Sequence, residues 1–293
     1  MSSHGAQRHK YFALSFISAF LAFWLVFLFV MGVASPSSAP VSADSPAPAV
    51  YQPREEDAIT LLVLGAERHD VAADTFLLLR FDPVRGQVGV VAFPPGTVLT
   101  HNDRGETLAD AHRLGGSLYT RGALADTLNI PIDRFARITL SGFVTAAAAV
   151  GSVEFTIEEQ LSIHDGELSV TLAPGTHLLD GRQVAAIIRY QGYPGGQAQR
   201  MELTAALASA VIDQRIDIVH STLLAQAFQI IINLLDTDIT YADFAARLEA
   251  ARALADLGHP IARPITLQGQ FCEAAERFTL SDTAKAQLAH AFL

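Results

Sequence analysis

The chain has 293 residues, half of them hydrophobic, with a mean hydropathy of +0.29 and a formal net charge of −10. That length admits one large or two small domains with ample core, while the acidic balance, with no stretch concentrating Lys and Arg, excludes a nucleic-acid partner held through phosphate contacts. Its one cysteine, Cys272, excludes an intrachain disulfide scaffold and has no base placed near it by motif.

In chain order, residues 1–10 are polar and carry Arg8 and Lys10, and no charged residue occurs from Tyr11 to Ala34. An apolar run of that length spans the ~30 Å hydrocarbon core of a bilayer as a helix. No basic residue follows until Arg54, so the positive-inside rule predicts a single-pass anchor over 11–34, with the N-terminus cytoplasmic and the rest of the chain outside. The rival reading is a cleaved signal peptide, but the apolar core exceeds the usual ~7–15 residues. Residues 35–56, rich in Ser, Pro and Ala, read as a stiff linker holding a folded domain at 57–275 near the membrane, with a helical tail at 276–293.

Three apolar runs, Ile59–Leu64, Phe76–Phe81 and Val88–Phe93, read as strands, the last two joined by a turn from Asp82 to Gly86. Their apolar positions are consecutive rather than alternating, which predicts strands covered on both faces. A helix is expected to end at Gly115 and Gly116, and a second to fill 117–128. Phe135–Leu140 is the next strand, Phe143–Val150 a helix, and Val153–Ile157 is expected to continue the sheet. Leu168–Leu172 is a further strand, with a turn at 173–176. Helices follow up to Arg189 with Asp180 as N-cap, over Gln199–Gln214, over Asp217–Leu235, and over Tyr241–Leu257 with Thr240 as N-cap. Pro264–Phe271 closes the sheet as an edge strand. The alternation gives an α/β class, a three-layer α/β/α sandwich with a central mixed sheet, preceded by one transmembrane helix. The helix over Asp217–Leu235 is apolar enough to wall a cavity against that sheet.

Seven segments, LLVLG at 61–65, DTFLL at 74–78, FPPGT at 93–97, AxxLGG at 111–116, LNIPIDRFARITLSGF at 128–143, PGTHLLDGRQVAAIIR at 174–189 and QAQRMELTAAL at 197–207, fall in a recognisable order. In order and spacing the chain resembles the LytR-CpsA-Psr (LCP) proteins over about 57–275. The resemblance implies an α/β/α fold with a long apolar pocket for a polyprenyl chain. It also implies transfer of glycopolymers, such as teichoic acids or capsular polysaccharides, from a polyprenyl-pyrophosphate carrier to peptidoglycan, with Mg²⁺ at the pyrophosphate. Such a site needs arginines and a carboxylate-held metal to neutralise phosphate charge.

Carried over position by position, the match implies catalytic roles for Asp74, Arg189 and Arg200, with Asp74 also the metal ligand. Arg68, Thr75, Thr97 and Arg113 are the expected substrate-binding residues. Other family charges are missing. Ala72 stands where an arginine is usual, Pro95 and Gly96 where an arginine and a second carboxylate are usual, Thr107 and Ala109 where Lys and Asn are usual. Gln191, Gln197 and Met201 replace two arginines and a glutamine. Arg80 and Arg104 are further candidates to replace the lost charge, and Glu67, His69, Asp70 or Asp110 to supply a metal ligand. The retained residues have structural readings as well. Asp74 can cap its loop, Arg189 can complement a helix dipole, and Arg200 can pair with Glu202 or Asp213. His69 and His112 read as surface residues. The expected function is that of an extracytoplasmic envelope protein with a degraded site, binding polyprenyl-linked glycopolymer or scaffolding envelope enzymes. An active Mg²⁺-dependent transferase is the alternative.

Overall fold

A computed structural model describes residues 51–293 apart from 102–103, 166–167, 223 and 225–229. The expected anchor at 11–34 and most of the linker lie outside the described residues. Among the described residues no helix is long and apolar enough to cross a membrane. The last linker residues are already folded, since Tyr51 Oη donates to Asp57 Oδ2 at 2.6 Å and Glu55–Asp57 makes a 3-10 turn.

The apolar runs form β1 (Ile59–Ala66), β2 (Thr75–Asp82) and β3 (Gln87–Phe93), with every position of the three runs buried except the half-buried Arg80. Three more strands complete the central six-stranded sheet: β4 (Arg134–Thr139), β9 (Leu235–Thr237) and β10 (Ala262–Ile265), in the order β9-β4-β1-β2-β3-β10. The sheet is mixed, because β4 runs parallel to β1 and β10 parallel to β3 while the other pairs are antiparallel. Pro264 lies in β10, at the sheet edge, where a missing backbone donor is tolerated.

Both faces are covered, as consecutive burial requires. Leu61, Val63, Leu77, Leu79, Val90 and Ile138 pack with helices α4 (Gly196–Arg215), α5 (Tyr241–Ala245) and α6 (Leu248–Ala255). Leu62, Leu64, Phe76, Leu78 and Phe93 face the other way, onto α1 (Leu108–Leu128) and α7 (Asp282–Phe292). Each fully buried side chain of this size contributes about 1.5–3 kcal/mol. A third core sits beside the sheet, where α2 (Leu140–Val150) and α3 (Gly181–Arg189) pack on two antiparallel strand pairs.

Several expectations change. Val153–Ile157 (β5) does not continue the central sheet but pairs with β8 (Gly175–Leu179), in the place of the expected turn, and β6 (Leu161–Asp165) pairs with β7 (Leu168–Leu172). The alternation in β5, with Val153 and Ile157 buried and Glu154 and Thr156 exposed, is that of a strand covered on one face. The two helices expected over 107–128 are present: α1 breaks at Gly116, whose backbone is non-helical (φ 66°, ψ −165°), as the glycine stop predicts. The expected helix Asp217–Leu235 opens as a 3-10 turn at Ile216–His220 and ends in β9, with part of its middle outside the described residues. Tyr241–Leu257 splits into α5 and α6, although Thr240 caps the start as expected. After β10 the chain forms a hairpin, β11 (Gly269–Cys272) with β12 (Arg277–Leu280), and α7 then buries Ala284, Leu288 and Phe292 in the second core.

Candidate functional site

β1 and β4 run parallel and end side by side, with Ala66 opposite Thr139. Ligands in α/β sheets sit at such carboxyl ends. Gly65, in register with Thr75, leaves no slack there: a Cβ on it would meet Thr75 Cβ at 3.1 Å. Thr139 then caps α2, its Oγ1 accepting from Gly142 N at 3.1 Å. α3 is set by a capping box between Asp180 and Gln183, buries Val184, Ala185, Ala186 and Ile187, and ends at Arg189.

These elements enclose a cavity of about 70 Å³. Its walls are Val63, Leu77, Ile138, Phe143, Ala185 and Ile188, and its mouth carries Asp74, Thr75 and Arg189. The expected wall from 217–235 contributes none of the described lining residues, since α2 and α3 take that place. As folded, the cavity is smaller than the ~300–1,000 Å³ of pockets that hold drug-sized ligands.

The mouth has one arginine between two carboxylates. Arg189 Nε lies 3.8 Å from Asp74 Oδ2, and its Nη2 lies 3.7 Å from Glu67 Oε2. Asp74 Oδ1 accepts from Thr75 Oγ1 at 2.9 Å, and Asp74 N donates to Gly65 O at 2.9 Å, which closes the base of the loop from Glu67 to Ala73. Among the described residues no group of three or more His, Cys, Asp or Glu is placed to hold a metal.

Arg200 comes to the same place from behind. It is 2% exposed, and its guanidinium donates to Ile188 O at 2.8 Å, Gln197 Oε1 at 3.3 Å and Asp74 O at 2.9 Å. It is thus a cross-brace between α3, α4 and the Asp74 main chain, not the surface partner of Glu202 or Asp213. Asp213 instead accepts from Ile261 N and Ala262 N. Burial depresses the Arg200 guanidinium from its usual value, with the Asp74 charge opposing and Arg189 adding to the shift.

The remaining expected residues lie elsewhere. Thr97 is fully buried and donates to Pro94 O at 2.7 Å. Arg68 is exposed and pairs with Asp70, and Arg113 is exposed and pairs with Asp110. None of the three lines the pocket. His112 is buried rather than on the surface, its Nδ1 accepting from Ala73 N at 3.1 Å. Sequence reasoning also passed over Arg137, although a charge inside the apolar run Phe135–Leu140 is a signal in itself.

A mixed sheet with helices on both faces, and a small apolar pocket opening beside an Asp–Arg–Glu group, define an α/β pocket protein. The chain belongs to the LytR_cpsA_psr family, whose model matches residues 25–270.

Among relatives, an uncharacterised Staphylococcus aureus protein is 24% identical over 150 residues, which is 46% of this chain and 37% of that protein. The Bacillus subtilis polyisoprenyl-teichoic acid–peptidoglycan teichoic acid transferase TagU is 20% identical over 193 residues, 64% of this chain and 62% of TagU. Biofilm regulatory protein A of Streptococcus mutans is 31% identical over 108 residues, 35% of this chain and 26% of that protein. The chain thus matches less than two thirds of each of these relatives.

Solved structures share the fold. A Eubacterium siraeum protein described as a transcription regulator superposes with a TM-score of 0.76 at 18% identity, over 87% of this chain and 98% of that one. TagT bound to LIIa-WTA gives 0.63 at 18% identity, over 81% of this chain and 90% of TagT.

Proposed function

We propose that this chain is a membrane-anchored, extracytoplasmic protein of cell-envelope biogenesis that binds polyprenyl-linked glycopolymer, or scaffolds enzymes acting on it, without transferring it. The observation that carries this reading is the charge at the pocket mouth. Among the described lining residues Arg189 is the sole guanidinium, and it stands against two carboxylates. Arg200 is turned onto backbone carbonyls. One well-placed charge-stabilising donor is worth ~10²–10³ in rate. A pyrophosphate-transfer site with several such groups missing keeps the means to hold an anion and an apolar chain better than the means to move one onto an acceptor. The relatives named as teichoic acid transferases supply the substrate class, and the run at 11–34 supplies the anchor.

A second reading, an active Mg²⁺-dependent transferase, is favoured by Glu67. It gives Arg189 a second carboxylate neighbour, in a chain where Gly96 stands at the family's usual second carboxylate. Mg²⁺ takes one or two carboxylates plus phosphate oxygens and water. Asp74 and Glu67 are the residues that would hold it, and bound there it would offset phosphate charge.

Full-length protein in detergent, titrated with farnesyl pyrophosphate, tests both. Binding that weakens at least about tenfold in Arg189→Gln, with no transfer from a polyprenyl-pyrophosphate-linked glycan to a peptidoglycan fragment, supports the binding role. Mg²⁺-dependent transfer abolished by Asp74→Ala replaces it with the second reading. Absence of binding sinks the glycopolymer-binding role and the second reading alike.

A further inference from the structure

Behind the pocket mouth two buried basic side chains grip one loop, and the reading of the site given above uses neither. The loop from Glu67 to Ala73 leaves β1 and returns to β2. Its side chains at 67–70 point to solvent, while its main chain is held from inside. Arg137, on β4 and 8% exposed, aims a single nitrogen at three carbonyls: Nη2 donates to Arg68 O at 3.0 Å, His69 O at 2.9 Å and Val71 O at 3.1 Å. His112, on α1 and equally buried, accepts the Ala73 amide on Nδ1 at 3.1 Å.

Surface loops ordinarily give these groups to water. Here a strand and a helix from different layers hold them. Three carbonyls converging on one charged nitrogen resemble the oxygen cradle of a bound cation more than a set of separate hydrogen bonds. Such a cradle fixes main-chain positions, because all three carbonyls must point at one place.

What the loop carries gives the grip its consequence. Glu67 is its first residue and Asp74 follows its last, and these are the two carboxylates beside Arg189. The base is closed by Asp74 N on Gly65 O, and the Asp74 carbonyl is held by Arg200. The separation of the carboxylates therefore depends on how the intervening main chain is held. We propose that Arg137 and His112 are positioning residues that clamp the loop from Glu67 to Ala73 and so set the spacing of Glu67 and Asp74 across Arg189. The link to ligand rests on the reading of that mouth as an anion site, whereas the clamp stands on its own contacts.

Amide hydrogen exchange of the full-length protein in detergent, paired with farnesyl pyrophosphate binding, tests it. In His112→Leu, which removes the acceptor, the Ala73 amide exchanges at least about tenfold faster, and farnesyl pyrophosphate binds more weakly. His112→Asn restores both, because its Oδ1 lies the same number of bonds from Cα as the imidazole Nδ1. Arg137→Met speeds exchange across 69–73, and Arg137→Lys recovers part of the loss. Unchanged exchange at Ala73 in His112→Leu overturns the clamp, as does an Asn variant that restores nothing. Should the Leu variant fail to fold, the unaltered protein decides: an Ala73 amide exchanging as fast as those of Arg68 to Asp70 overturns it. Failure of the unaltered protein to bind farnesyl pyrophosphate refutes the anion-site reading instead, and exchange still decides the clamp.

Discussion

Restoring the family carboxylate at position 96 should unfold the site's edge rather than repair it. Gly96 is pressed against the tip of the hairpin β11–β12: a Cβ there would lie 1.9 Å from Glu276 O, 3.0 Å from Glu276 C and 3.4 Å from Arg277 Cα. All three atoms are backbone, so no side chain can swing away, and the loop has to withdraw by about 1 Å before the contact is tolerable. The same loop is stitched to the hairpin by Phe278 N on Gly96 O at 2.9 Å and Val98 N on Phe278 O at 2.8 Å. Each bond is worth about 1 kcal/mol. Loosening them also lifts Phe278, 3% exposed, and Leu280 from the second core, a further ~1–3 kcal/mol. Gly96→Asp and Gly96→Ala should therefore each lose about 3–5 kcal/mol, or ~6–20 °C in Tm for a domain of this size. Urea and thermal unfolding in one detergent measure it. A Gly96→Ala protein within about 1 kcal/mol of the parent refutes the steric reasoning.

Other outcomes follow from the same coordinates. Gly122, inside α1 with no heavy atom within 4 Å of an added Cβ, should gain about 0.5–1 kcal/mol on substitution by Ala, read by urea unfolding. Ile188→Trp should fill the cavity and weaken farnesyl pyrophosphate binding by about tenfold or more, with unfolding near that of the parent. Arg200→Met strands the Ile188 and Asp74 carbonyls and should cost about 2–4 kcal/mol, less than the summed bonds because a buried charge is also removed. Burial above all, with the charge of Arg137, holds His112 below its usual pKa against the opposing pull of Asp236. Below pH ~6.5 the unfolded chain therefore takes up a proton that the folded chain refuses. Stability falls as pH drops through that value, by at most about 1.4 kcal/mol per pH unit, and levels off below the folded pKa. His112→Asn should lack this component when unfolding is compared between pH 7.5 and 5.

The three opening strands were legible because their apolar runs are unbroken, and the capping signatures at Asp180 and Thr240 place the starts of α3 and α5. What was not legible depended on partners remote in sequence. Whether Val153–Ile157 joins the central sheet is decided by β8, and a helix pattern over Asp217–Leu235 is overridden where Leu235–Thr237 finds the open edge of β4. At the site, Asp74 and Arg189 could be named from motif and meet at the mouth, whereas the inward turn of Arg200 shows only once Ile188 and the Asp74 carbonyl are in place. Arg137 and His112 were misread or missed because their partners are main-chain groups, which leave no trace in residue type.

The polarity of β1 also bears on reach. The chain enters the fold at Tyr51, at the foot of β1, and the pocket opens at its head, beyond Ala66. Eight strand residues separate the two ends by about 26 Å at ~3.3 Å each. On the proposed anchor over 11–34, the chain length from 35 to 50 reaches at most about 55 Å at ~3.3–3.6 Å per residue. That reach is about twice the height of β1, so the proposed anchor would allow the opening to face away from the bilayer or be set against it. Cutting residues 35–50 to about four would leave ~14 Å, too little for that second posture, with every residue of the pocket in place.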